Sequence, residues 1–88
     1  MTALQLIHSV AIRNGWSVVN TWVSRNEYYY VVTYGRERYG LERIEVRYNR
    51  PPSSGVHSTF YTINSVEVAY VGPRRTGRRA AAINWLKR

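Results

Sequence analysis

"LERIEVRY", residues 41–48, alternates Ile44, Val46 and Tyr48 with Arg43, Glu45 and Arg47. A period of two belongs to a strand with one buried and one wet face. Working outward from this stretch fixes the class of fold. Upstream, "WSVVNTWV" (16–23) and "YYYVVTY" (28–34) are rich in β-branched and aromatic residues and flank the polar turn "SRNE" (24–27), so they read as a hairpin. "GRERYG" (35–40) separates that hairpin from residues 41–48. Downstream, "NRPPSSG" (49–55) reads as a loop, because proline cannot donate to a strand ladder and restricts the residue before it. "VHSTFYTINSVEVAYV" (56–71) then sets Val66, Val68 and Tyr70 opposite Glu67 and Ala69, with Asn64 and Ser65 as a bulge or turn. Strands are thus expected at about 16–23, 27–34, 41–48 and 59–71.

A helix is expected on each side of them. Thr2 and Gln5 have capping-box spacing, Gly15 suits a left-handed C′ position, and Leu4, Leu6, Ile7, Val10 and Ala11 share one face of a helix over 2–14. Gln5, His8, Ser9 and Arg13 take the other face. Thr76 is the best N-cap for a second helix over 76–86, with Ala82, Ile83, Trp85 and Leu86 turned inward. Short connections favour a meander with both helices on one side. The expected fold is α+β, a small two-layer single domain over 1–88 with an N-terminal helix, a three- or four-stranded antiparallel sheet and a C-terminal helix.

Eighty-eight residues bury about two-thirds of their unfolded surface, leaving no room for a second core or a deep enzyme cleft. The sequence holds no cysteine, so neither a disulfide nor a thiolate metal site supplements the core. Three Trp, eight Tyr and one Phe supply large apolar areas instead. Residues 1–15 are apolar but interrupted by Gln5, His8, Ser9 and Arg13, unlike a signal peptide, and no apolar run reaches the ~20 residues of a membrane span. A cytoplasmic location is the resulting expectation.

Enzyme chemistry is not expected. Glu42, Glu45 and Glu67 lie at strand positions where cross-strand ion pairs are the ordinary use of a carboxylate. His8 and His57 have no partner at metal-ligand spacing, so no metal or other cofactor is implied. Gly72–Gly77 lacks both the Gly-Lys-Ser/Thr ending of a phosphate-binding loop and dinucleotide-type glycine spacing.

The charge points elsewhere. Thirteen Lys and Arg against five Glu and no Asp give +8. Residues 74–88 alone hold Arg74, Arg75, Arg78, Arg79, Lys87 and Arg88 without an acid, leaving only +2 for residues 1–73. Twelve of the thirteen cations are arginine, whose planar fork grips phosphate in bidentate fashion, although a GC-rich genome also favours Arg over Lys. Cations at the positive front of a helix are disfavoured by about 0.3–1 kcal/mol each. An anion placed there would meet free N–H groups, the dipole and several guanidinium groups together, whereas a solvated basic tail is the plainer alternative. Six neutralised phosphates would give a log–log salt slope of about −5 on duplex DNA.

Tyr28, Tyr30 and Tyr34 share one strand face and Tyr29 the other. Tyr29, interleaved with Arg36, Arg38 and Arg43, could stack bases, while cross-strand packing or a homodimer through this face or an edge strand are the competing uses.

The order helix, strands, helix with "GPRRTGRRAAAINWL" (72–86) resembles the double-stranded-RNA-binding domain. In that family the second helix opens with basic residues that straddle phosphates and runs on into alanines. The resemblance implies phosphate contacts by Arg74, Arg75, Arg78 and Arg79, and "GVHSTF" from Gly55 offers His57 for the family's histidine loop. More loosely, an Arg-rich, Cys-free chain of this size resembles small proteins encoded by bacteriophages of GC-rich hosts, which bind nucleic acid or seize a host protein. The expected function is nucleic-acid binding, DNA or RNA, of slight sequence specificity. The alternative is a protein-interaction module acting through the aromatic sheet face or an edge strand on an acidic partner or on itself.

Overall fold

The structure, a computed structural model, describes residues 2–23, 29–49 and 55–88. The "SRNE" turn, Tyr28 and most of the proline loop lie outside the described residues. Helix α1 (Ala3–Arg13) opens on the capping box, with Gln5 N–H donating to Thr2 Oγ1 at 3.1 Å and Thr2 N–H to Gln5 Oε1 at 2.9 Å. It closes as a Schellman motif on Gly15, whose φ of 81° only glycine adopts without cost, with Trp16 N–H returning to the Ala11 carbonyl and Gly15 N–H to Ile12.

Five strands follow: β1 (Ser17–Val23), β2 (Tyr29–Glu37), β3 (Leu41–Asn49), β4 (Val56–Ile63) and β5 (Val66–Val71). They form one antiparallel sheet in the order β1-β2-β3-β4-β5, a meander. The single strand expected over 59–71 is two strands. Asn64 and Ser65 both take positive φ, 50° and 67°, the backbone of a two-residue hairpin turn. Asn64 also bonds Leu41 twice, through N–H to the Leu41 carbonyl and through Oδ1 from the Leu41 N–H, tying that turn to the start of β3. The hairpin strand expected to stop at Tyr34 continues to Glu37, because Gly35 and Arg36 keep pairing with Arg43 and Glu42.

Helix α2 (Arg78–Leu86) is capped by Gly77, not by Thr76. Gly77 is left-handed at φ 76°, so the chain enters the helix one residue later than the threonine rule suggests and no side chain caps it.

Both helices cover one face of the sheet. Ile7, Val10 and Ala11 of α1 and Ala82, Trp85 and Leu86 of α2 join Val32, Tyr34, Ile44, Val46, Tyr48, Val56 and Tyr61 in one buried cluster. Tyr61 makes edge contacts with Trp16 and Trp85 at centroid separations of 6.5 and 5.9 Å. The sheet is wider than the helical layer, so every residue of β1 is exposed. Among the described residues no helix is long and apolar enough to cross a membrane.

Candidate nucleic-acid interface

The two ends of the sheet divide the basic residues. At one end lie the start of β2, the start of β4 and the N-terminus of α2; at the other lie the end of β2, the start of β3 and the C-terminus of α2.

At the first end, Gly77, Arg78, Arg79 and Ala80 face Gly55 and Val56 across a cleft of about 370 Å³. The first helical turn carries no acidic residue and no side-chain cap, so its leading N–H groups point outward with the positive end of the dipole. Arg79 is exposed at this mouth, and Arg74 and Arg75 are exposed in the turn that precedes it. Arg78 is half-buried and donates from Nη1 to the Pro73 carbonyl, which holds its guanidinium beside the loop. Among the described residues the ion pairs are Arg36–Glu42 and Arg47–Glu45, so no carboxylate there neutralises these four arginines.

His57 adjoins the same mouth. Its imidazole packs on Tyr29 at 4.4 Å between centroids. Burial and the nearby charges of Arg47 and Arg78 hold its pKa below the ordinary 6.5. Beyond His57 the uncovered sheet face begins. Register places Trp22, Val31, Arg47 and Ser58 in one row across four strands. Arg47 lies 5.8 Å from the Trp22 ring and 5.9 Å from Tyr29, and Val31 is completely buried on this face. A second row runs Asn20, Thr33, Glu45, Phe60 and Tyr70, with Phe60 and Tyr70 edge to face at 5.6 Å.

The other end is built differently. Arg36 is committed inside the molecule: Nε meets Glu42 Oε2 at 2.9 Å, Nη1 donates to the Asn14 carbonyl at 3.0 Å, Nη2 to the Arg88 carbonyl at 2.9 Å, and the guanidinium lies 4.1 Å from the Trp16 ring. It therefore holds β2, α1 and the end of α2 together and offers no fork to a ligand. Glu42 is fully buried. Burial pushes its carboxyl up, but hydrogen bonds from Arg36 and from Tyr61 Oη at 2.8 Å outweigh that and keep it below the ordinary carboxylate range. Arg38 stacks on exposed Tyr39 at 4.6 Å. Arg43 donates to the Glu42 carbonyl at 2.9 Å and lies over Gly35, where a Cβ would come within 2.6 Å of its Nη1. Lys87 and Arg88 are exposed at the far end of α2, about 13 Å along the axis from Arg78 at 1.5 Å per residue.

The fold thus gathers Arg74, Arg75, Arg78, Arg79 and Tyr29 at one end and leaves Lys87, Arg88, Arg36, Arg38 and Arg43 toward the other. Arg47 and Trp22 join the first group without having been singled out as contacts, and His57 joins it after being offered only by the family resemblance. Arg47 was legible only as a wet-face residue of residues 41–48, and its neighbours emerge from the register alone. The chain matches no protein family, no curated protein and no solved structure.

Proposed function

We propose that the protein binds nucleic acid, holding phosphates at the N-terminus of α2. One observation carries this reading. Arg78 and Arg79 flank an uncapped helix mouth, and Arg74 and Arg75 precede it in the chain, all four without a carboxylate partner among the described residues. Four guanidinium groups and a row of free N–H groups repel one another's charge until an anion enters, and phosphate fits both kinds of donor. Arg47 extends the positive surface onto an aromatic face that also holds the His57–Tyr29 ring pair, which suits a polyanion better than a single small anion.

The test is fluorescence anisotropy with labelled single- and double-stranded DNA and RNA at low salt. Arg78→Glu with Arg79→Glu is expected to abolish binding that the native protein shows at micromolar concentration. Absence of binding by the native protein to all four nucleic acids ends the proposal.

A second reading has its own observation. Strand β1 is an edge strand with Val18, Val19, Trp22 and Val23 each at least 40 % exposed and no charged residue, the profile of an edge that adds a strand from another chain. It predicts a sedimenting dimer, or capture of one partner, that Val18→Lys disrupts.

A further inference from the structure

The uncovered face of the sheet carries a cleft of about 250 Å³ lined by Glu45, Arg47, Ser58, Thr59, Phe60 and Tyr70. Its position follows from register: Arg47 pairs with Ser58, and Glu45 with Phe60, which pairs in turn with Tyr70. Phe60 and Tyr70 give it an aromatic wall, with Tyr70 nearly half exposed. Glu45 and Arg47 give it a polar side, and their pairing is loose: Nη2 to Oε2 is 3.9 Å, with each side chain about a third exposed. That separation is too long for a hydrogen bond, so the carboxylate and the guanidinium keep their bonding capacity. Arg47 Nε is buried without any acceptor, although a buried donor ordinarily finds one.

We propose that this cleft takes one unpaired nucleobase of a single-stranded nucleic acid, guanine before the others. The inference rests on the nucleic-acid reading above and names the ligand for its sheet face. A planar base stacks on the half-exposed Tyr70 ring with its edge against Phe60, whatever its identity. The polar side discriminates. Guanine displays on its Watson–Crick edge an acceptor, O6, beside two donors, N1–H and N2–H, which match one guanidinium beside one carboxylate. Adenine and uracil each offer Glu45 a single N–H and leave its second oxygen unfilled. In a duplex that edge is already paired and the base faces are stacked, so only a splayed, single-stranded base fits. From the cleft, the row through Arg47 and Ser58 leads to His57 and on to Arg78, a path along which the flanking phosphates reach the mouth of α2.

Three short labelled RNAs of equal length test this by anisotropy at low salt: oligo-U with a single central G (the U–G strand), oligo-U with a single central A (the U–A strand), neither of them self-complementary, and a hairpin duplex. The U–G strand is expected to bind about tenfold more tightly than the U–A strand, the discrimination of one bidentate contact, and both more tightly than the duplex. Glu45→Gln is expected to erase the U–G preference while U–A binding persists. Tyr70→Ala is expected to weaken both single strands about tenfold and leave the duplex unchanged. Equal affinity for U–G and U–A, a preference that survives Glu45→Gln, or duplex binding as tight as single-strand binding each overturns the guanine cleft and leaves the helix-mouth proposal standing. Failure of all three RNAs to bind overturns the guanine cleft, and failure of single- and double-stranded DNA as well overturns the helix-mouth proposal itself.

Discussion

Arg36 and His57 show how one residue type changes its meaning with its neighbours. Arg36 sits with a side chain 10 % exposed against a carboxylate 1 % exposed, so its removal strands a buried charge. Arg36→Ala is expected to cost about 3 kcal/mol or more, read from urea denaturation. The same pair sets the acid limit. Because the folded Glu42 pKa lies below its ordinary 4.5, its contribution is complete above that pH and is lost as pH falls through the lowered value. The urea midpoint of the native protein should therefore drop in that acid window, and Glu42→Gln should remove this part of the drop. His57 is also depressed, through burial and the charges of Arg47 and Arg78. For a histidine the sign makes protonation unfavourable to the fold, so this contribution is complete above about pH 6.5 and declines as pH falls through the lowered pKa. A phosphate beside Arg47 and Arg78 reverses the local field. An NMR titration is expected to show His57 moving to higher pKa when nucleic acid is added; an unmoved pKa would separate His57 from the interface.

At the scale of the element, α2 departs from the usual rules for a helix start. Gly77 occupies the left-handed cap, where a Cβ meets nothing within 4 Å but the backbone itself is unfavourable to any L side chain. Gly77→Ala is expected to cost about 1 kcal/mol, whereas Thr76→Ala, at an exposed residue outside the cap, should change stability by less than about 0.5 kcal/mol. Equal losses at the two positions in thermal denaturation would restore Thr76 as the cap. Absence of a side-chain cap leaves the leading N–H groups for a ligand. In β1 the exposed valines and Trp22 have a partial explanation, since Trp22 and the stem of Arg47 together cover Val31. Val19 lies over Gly35, where a Cβ would come within 2.8 Å of its Cγ1, while Val18 and Val23 stay 40 % and 43 % exposed.

Across the whole molecule, what matters is where the charge of +8 is placed. With Lys87 and Arg88 at the opposite end of α2, the proposed nucleic-acid binding would set four arginines rather than six against one run of phosphates. The log–log salt slope on single-stranded nucleic acid is accordingly expected near −3, measured between low and physiological salt. Lys87→Glu with Arg88→Glu should weaken binding far less than Arg78→Glu with Arg79→Glu. Equal effects of the two pairs would mean that the polyanion runs the length of α2.

Much of this architecture was determined by local sequence. Capping boxes, a left-handed glycine and alternation of period two act between residues only a few positions apart, so α1, the hairpin, the strand around Ile44 and the inward face of α2 were legible directly. The fifth strand was missed because Asn64 and Ser65 reach the left-handed region without a glycine, held by bonds to Leu41 from 23 residues away. The cap at Gly77 was missed because threonine is ordinarily the better local choice. The arginine cluster of residues 74–79 could be read from composition. Only the tertiary structure decided which cations share a surface. It buried Arg36 against Glu42, sent Lys87 and Arg88 to the other end, and brought Arg47, His57, Phe60 and Tyr70 onto one face. Those relations depend on strand register and on which end of the sheet a helix begins, long-range geometry that no short stretch of the chain encodes.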